Sequence, residues 1–396
     1  MTTLESPSAA HTRLEPALGV LRANSEQADR TASLPAENID ALRAAGAMRW
    51  SLPRALGGDE LSSVEKVDLW AAMGAADLCT VWIFANYDSH ISDLGSHANE
   101  PFPGAFAILR DETPFIGTVA PVPGSTIDGD DVVINGRFPF ATGWKQAGWM
   151  RSNILLPGPA PETPAGSESK FHVRMVHFPL DRPEVRVEET WDAVGLRASQ
   201  TDTVVVEGLR VPRAQALPYA FDADRLKPEF AARSAHYAEP LWALSNSRTA
   251  VSLAGCGMTA FERAREYVTG GRANQTGQPA ARFPAVRACM TDAYAELFAA
   301  LATMRGVAND SDQRVAAGRP WTPGEEAGVW ASGMVATRAV LRAVDQMSLA
   351  LGATLAQRSL PFERHFRDIR TGALHLGVHP NLVNDRINSW MFPGIR

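Results

Sequence analysis

A chain of 396 residues, 45% hydrophobic and 21% charged, is long enough to bury a core shared among two or three packed subregions. Its formal net charge of −6 gives no electrostatic basis for binding nucleic acid or an anionic membrane, and three cysteines (Cys79, Cys256, Cys289) are too few for a disulfide framework. No apolar run reaches ~18 residues, and Met1 to Arg13 lack a basic stretch followed by an apolar one. Neither a transmembrane helix nor a secretion signal is therefore expected, and a cytoplasmic location is.

In chain order, residues 1–13 are polar and expected to be disordered. From Leu14 to Met48 apolar residues recur every three or four positions, which predicts two helices broken near Ser33-Leu34-Pro35, with Ser33 suited to a helix start. Gly57-Gly58 supplies a tight turn, and a further helix is expected from about Ser63 to Phe84. After Glu100 the helical period fades and β-branched residues alternate with polar ones. Asp128-Gly129-Asp130-Asp131 before Val132-Val133-Ile134 predicts a hairpin; Arg174 to Phe178 and Thr203 to Glu207 predict strands; Pro157 to Ser169 predicts a loop. From Tyr237 the helical period returns, in three long patterns at about 240–269, 284–309 and 323–358. In the last, Trp330, Thr337, Val344 and Leu351 stand seven apart, the spacing of a bundle seam. The boundaries expected are an N-terminal helical domain at 14–100, a β-domain at 101–212 and a helical bundle at 236–396.

Two patterns carry no chemistry. Gly255-Cys256-Gly257-Met258-Thr259-Ala260 fits a dinucleotide fingerprint but lies inside a helical pattern with no strand before it. His375 and His379 are four apart, as zinc ligands can be, but Gly377 lies between them, Pro380 follows and no general-base Glu accompanies them, so no metal is expected.

Five stretches point the same way. Glu363-Arg364 followed by Arg367-Asp368-Ile369-Arg370 resembles the C-terminal signature of the acyl-CoA dehydrogenase superfamily. Val119-Ala120-Pro121-Val122-Pro123-Gly124-Ser125 is similar to a degraded form of its "TEPGAGS" turn, and Asn135-Gly136-Arg137-Phe138-Pro139-Phe140-Ala141-Thr142-Gly143-Trp144 to the "GxxxFxSG" of its monooxygenases. Trp191 to Thr201 resembles "W..LGLRGTGS", and Tyr267 to Gly277 a "Y…R…G" segment. The resemblance implies an α+β fold: an N-terminal helical domain, a small β-barrel or sandwich domain and a C-terminal four-helix bundle. It also implies a flavin. Ser125, Thr142, Trp144 and Ser199 would line its slot, Arg272 would meet its phosphate, and Arg367 would serve its binding from the signature helix. Asn274 stands where the family has an aromatic residue, which favours FMN slightly over FAD.

With the two chains registered on Arg367-Asp368-x-Arg370 and Gly377, the catalytic Glu of the dehydrogenases falls on Leu376, which cannot accept a proton; His375, just before it, can. A histidine there resembles the flavin-dependent monooxygenase branch: phenol 3-hydroxylases, dibenzothiophene monooxygenase and N-oxygenases of amines and amino sugars. That branch implies reduced FMN or FAD delivered by a separate reductase, reaction with O₂ through a C4a-hydroperoxyflavin, and oxygenation of a small aromatic, nitrogen or sulfur substrate. His375 would support the oxygen transfer, and His90 would orient or activate the substrate. A homotetramer is expected. Three alternatives remain open at this stage: an amine or amino-sugar N-hydroxylase, an acyl-CoA dehydrogenase-like enzyme with a relocated base, and a flavin-free scaffold of the same fold.

Overall fold

The structure, a computed structural model, describes residues 8–161, 169–218, 236, 239–270, 277–360 and 362–394. Helix α1 (Ala9–Thr31) starts ahead of Leu14 because the Ser8 side chain accepts from His11 N–H, so the segment expected to be disordered is helical from Ala9. Ala32, in the left-handed region, ends it, and α2 (Ala36–Ala44) begins after Pro35 rather than at Ser33.

The single helix expected from Ser63 is two helices. Ser62 and Glu65 form a reciprocal cap on α3 (Ser63–Ala76). Asp77 then turns to extended backbone and caps a new helix, α4 (Leu78–Ser96), by accepting from Thr80 N–H and Thr80 Oγ1–H. One well-placed aspartate breaks a continuous apolar period that carries no Gly or Pro at the break.

Between the helical regions, after the short α5 (Ala105–Arg110), eight strands among the described residues form two four-stranded sheets. One is ordered β1 (Phe115–Gly117), β4 (Trp149–Pro157), β5 (Phe171–Pro179), β8 (Leu217–Pro218). The other is ordered β2 (Thr126–Asp128), β3 (Asp131–Ala141), β7 (Asp202–Pro212), β6 (Val185–Glu188). The expected hairpin is present, with Asp128 opposite Asp131. Phe138 of β3 and Phe178 of β5, both buried, pack 6.4 Å apart between the sheets.

Among the described residues three long helices follow: α6 (Leu241–Thr269), α7 (Pro284–Ala317) and α8 (Pro323–Leu351). The seam residues Trp330, Thr337, Val344 and Leu351 are all buried. The bundle is completed by the 11-residue α9 (Phe362–Gly372), and α10 (Pro380–Met391) closes the described chain. α3 packs along α6, and Gly74 and Gly255 allow it: a Cβ at either would overlap the backbone of the facing helix. This accounts for Gly255 of the Gly-x-Gly stretch; Gly257 faces the Leu297 side chain of α7 instead. Among the described residues, no helix is long and apolar enough to cross a membrane.

Candidate active site

Helix α4 organises the site. From Leu78 to Ser96 every residue is buried except Trp82, Ala85, Asn86 and Ser89, whose spacing places them on one stripe of the helix. Each part of the stripe and its flank holds a different wall.

At the N-terminal end of the stripe, Trp82 packs on Gly372 of α9 and meets the His375 ring edge-on, with centroids 5.3 Å apart at 89°. His375 follows α9 and leads a short turn, where its Nδ1 accepts from Gly377 N–H at 3.2 Å. That bond fixes the tautomer: the ring proton must lie on Nε2, which remains a donor. The ring is open to solvent yet surrounded by protein, and the desolvation this causes lowers its pKa to about 4. At neutral pH His375 is therefore a neutral hydrogen-bond donor rather than the near-neutral titrating acid that its residue type implies. Leu376, the next residue, is 47% exposed.

Farther along α4, Asn86 bonds both the N–H and the carbonyl of Gly117 at the end of β1. His90, one turn on and buried, rests its ring directly on Gly117, where any Cβ would overlap it. Trp82 and His90, eight residues apart, lie about 12 Å apart along the helix axis. Behind His90, Gly117, Arg151 and His177 occupy one row across the sheet. Asp93 of α4 pairs with the buried Arg151 at 4.0 Å, and His177 stacks on Phe102 at 5.0 Å. Burial and the neighbouring Arg151 hold the His177 pKa well below the usual histidine range, so it is neutral.

The flank of α4 docks the β-domain. Tyr87 Oη donates to the Gly143 carbonyl at 2.7 Å, and Gly143, at φ +79°, lies against Ile83 with no room for a Cβ. Gly143 N–H reaches the carbonyls of Ser199 and Gln200, joining the 140–144 turn to the 194–201 turn. Thr142 Oγ1 bonds Thr201 Oγ1 at 3.0 Å, and Ser199 Oγ bonds Thr201 Oγ1 at 2.7 Å. Three hydroxyl protons and two internal bonds leave one proton to donate elsewhere (3 − 2 = 1). Three non-glycine residues of these turns, Phe140, Leu196 and Gln200, have left-handed backbone, a strain that concentrates at functional sites. Gln200 is 2% exposed, and neither its amide nitrogen nor its amide oxygen has a partner among the described residues.

The remaining expected residues are placed as follows. Trp144 borders the same turn and donates Nε1–H to Asp202 at 2.8 Å. Ser125 is tied to the backbone of Asn135, seven residues before Thr142, roughly 20 Å away along the strand. Only an extended ligand reaches both. Arg367 is bound up with Asp29, Glu363 and the Val194 carbonyl. Arg272 lies outside the described residues. Sequence reasoning missed Trp82, Asn86, Tyr87 and Gln200. The spacing of Trp82, Asn86 and His90, four and four, was visible; nothing in the sequence marked Gln200. Elsewhere, His236, Glu239 and Asp312 bring potential metal-ligand atoms within 4.8 Å. Their oxygens are already engaged: Asp312 accepts from the N–H groups of Ser63 and Val64, and Glu239 accepts from Ser311 with buried Lys66 nearby.

Residues 248–380 match the family described as acyl-CoA dehydrogenase, C-terminal domain. The chain is 23% identical over 373 residues to the oxygenase subunit HsaA, a flavin-dependent monooxygenase of Rhodococcus jostii, covering 93% of this chain and 94% of that one. Two solved structures share its fold. XiaF from Streptomyces, in complex with FADH2 and glycerol, superposes with a TM-score of 0.85 at 17% identity, covering 98% of this chain and 96% of that one. TdsC from Paenibacillus, in complex with FMN and indole, superposes with a TM-score of 0.78 at 21% identity, covering 97% and 96%. Residues 248–380 thus match the C-terminal domain of the acyl-CoA dehydrogenases, and the whole chain shares the fold of these two solved structures.

Proposed function

We propose that the protein is the oxygenase component of a two-component flavin-dependent monooxygenase, a cytoplasmic homotetramer that receives reduced FMN or FAD from a separate reductase and oxygenates a small aromatic or heteroatom substrate with O₂. The observation that carries this reading is His375: a neutral, solvent-reached imidazole with its proton on Nε2, in the turn where a dehydrogenase needs a carboxylate and this chain has Leu376. Relatives of similar length are oxygenase subunits of this kind.

The residues present fit a flavin. Gln200 has a buried amide with no partner among the described residues, and leaving such a group unsatisfied costs about 1–3 kcal/mol. The hydroxyl chain through Thr142 has one proton to spare. Bound reduced flavin supplies the two electrons that activate O₂. Thr142 would offer its hydroxyl to the flavin's N5 edge, and Trp144 would wall the ring. Ser125, just before β2 and tied to Asn135 of β3, would meet the distal part of the cofactor, and Arg272 would meet the phosphate, where a guanidinium suits bidentate binding. Arg367 serves the cofactor through the Val194 carbonyl it holds. His375 holds a proton at Nε2 where oxygen transfer needs a donor. His90 faces the substrate from the β1 side.

The test is reduced FMN or FAD, O₂ and a panel of phenols, indoles, thiophenes and amines, with hydrogen peroxide and oxygenated product both measured. Product from at least one class is expected. Peroxide alone from every class, or no flavin binding at all, would sink the reading.

A further inference from the structure

Helix α9 carries the Arg-Asp-x-Arg signature, and three successive residues of the 194–201 turn are gripped by two successive residues of that helix. Arg367 donates to the Val194 carbonyl at 2.7 Å. Gly195 lies so close to the Arg367 carbonyl that a Cβ would overlap it. Asp368 Oδ1 accepts from Leu196 N–H at 2.6 Å. At the last gripped residue, Leu196, the backbone turns left-handed, and it does so again at Gln200. L-residues avoid that conformation, so the turn depends on outside contacts to keep it. Its position is passed on, because the Ser199 and Gln200 carbonyls hold Gly143 and so the turn that carries Thr142.

We propose that Asp368 is a positioning residue for the cofactor: through Leu196 N–H its buried carboxyl sets the Leu196–Thr201 turn and, through the Ser199 and Gln200 carbonyls, the turn that carries Thr142. The inference rests on the reading that this turn faces a flavin.

Asp368 is 2% exposed, and burial raises its pKa to about 7. The groups around it account for the balance. The Leu196 N–H and Arg364, from its own helix, favour the carboxylate; Asp29 of α1 and Asp77 at the head of α4 oppose it. The thiols of Cys79 on α4 and Cys256 on α6 are pushed up by burial and stay neutral; Cys79 also meets the Ala198 backbone in the turn. His365, in contact with Cys256, is held neutral by burial and by Arg364 and Arg263.

If the turn opens, water reaches the carboxyl and its pKa returns toward the ordinary value near 4. The closed turn therefore binds more protons than the open one between about pH 4 and 7. Closure, and with it flavin affinity, falls as pH rises toward 7, by at most about tenfold per unit, and levels off above it.

The experiment uses the full chain and two readouts: FMN and FAD titration, and hydrogen exchange of the 194–201 segment without flavin, corrected for intrinsic rate, from pH 5.5 to 8.5. In the parent both affinity and protection should fall toward pH 7. Asp368→Asn keeps an acceptor oxygen and no charge, so it should hold protection and affinity level across the range. Asp368→Ala should be weak and level. A parent-like pH step in Asp368→Asn, or parent-like protection in Asp368→Ala, overturns the inference. A parent that binds neither flavin overturns the proposed function instead, and the exchange data alone then decide whether Asp368 governs the turn.

Discussion

His375 and His90 are the same residue type at opposite ends of one face of α4, in opposite surroundings. His375 sits in a loop turn reached by water, and one backbone N–H fixes its tautomer. His90 is buried in the middle of a helix, seated by the side chain that Gly117 lacks and backed by the Arg151 and His177 row. The difference separates two kinds of dependence. The donor at His375 is set by three residues of local chain, so its chemistry can be removed without disturbing the fold. His90 is set by the docking of α4 on a sheet, so its position and the stability of the protein change together.

His375→Ala should show the larger effect on chemistry and the smaller on folding. Removing a positioned donor costs about 10²–10⁴-fold in the catalysed step. Flavin binding and O₂ uptake should persist, with hydrogen peroxide replacing product and a thermal midpoint close to that of the parent. Full product yield from this variant would make His375 scaffold and leave His90 as the leading residue.

Gly117→Ala tests the other arm. The added methyl overlaps the His90 ring, and overpacking of this kind costs about 1–3 kcal/mol. Stability by denaturant unfolding and substrate affinity should fall together. A variant with lowered affinity and unchanged stability would show that His90 has room to move, and the comparison would collapse.

Much of this architecture was legible because its signals are local. The seam of α8, the hairpin at Asp128 and the run of superfamily-like segments each stand within a few residues of sequence. What was not legible depends on residues far apart. The break at Asp77 looked like a continuous helix because a capping carboxylate needs neither Gly nor Pro. The grip of Asp368 on Leu196 spans 172 positions. His375 was readable as a residue type, but its proton affinity was not: protein gathered around an open ring lowers the pKa, and sequence carries no trace of that.

That shift sharpens the comparison by pH. The folded-state pKa of His375 is lowered to about 4 from an ordinary value near 6.5, so the native state holds fewer protons than the unfolded one between those values. Its contribution to stability is complete above about 6.5 and is lost as pH falls toward 4. Protonation also puts a second donor at Nδ1, facing Gly377 N–H, and breaks the turn. The ratio of product to peroxide should therefore carry no step from His375 between pH 6 and 9. A step near 6.5 that disappears in His375→Ala would show the ring fully hydrated and titrating as in water.

The smallest effect belongs to Thr142, which lies on neither side of the comparison but is joined to both through Gly143 and Tyr87. Thr142→Val keeps the shape of the side chain and removes its hydroxyl. Thr201 and Ser199 remain bonded to each other, so no buried hydroxyl is orphaned. The loss in stability should be about 1 kcal/mol, that of one net hydrogen bond. Thr142→Ser keeps the donor and should restore stability and flavin affinity alike. The informative case is Thr201→Val. Thr201 is the middle member, so its removal leaves both Thr142 and Ser199 without their shared partner. It should cost more than Thr142→Val in the flavin-free protein and recover part of that cost when flavin binds. If FMN and FAD titrations give equal affinities for Thr142→Val and Thr142→Ser, the hydroxyl faces protein alone, and the spare proton of the chain does not reach the cofactor.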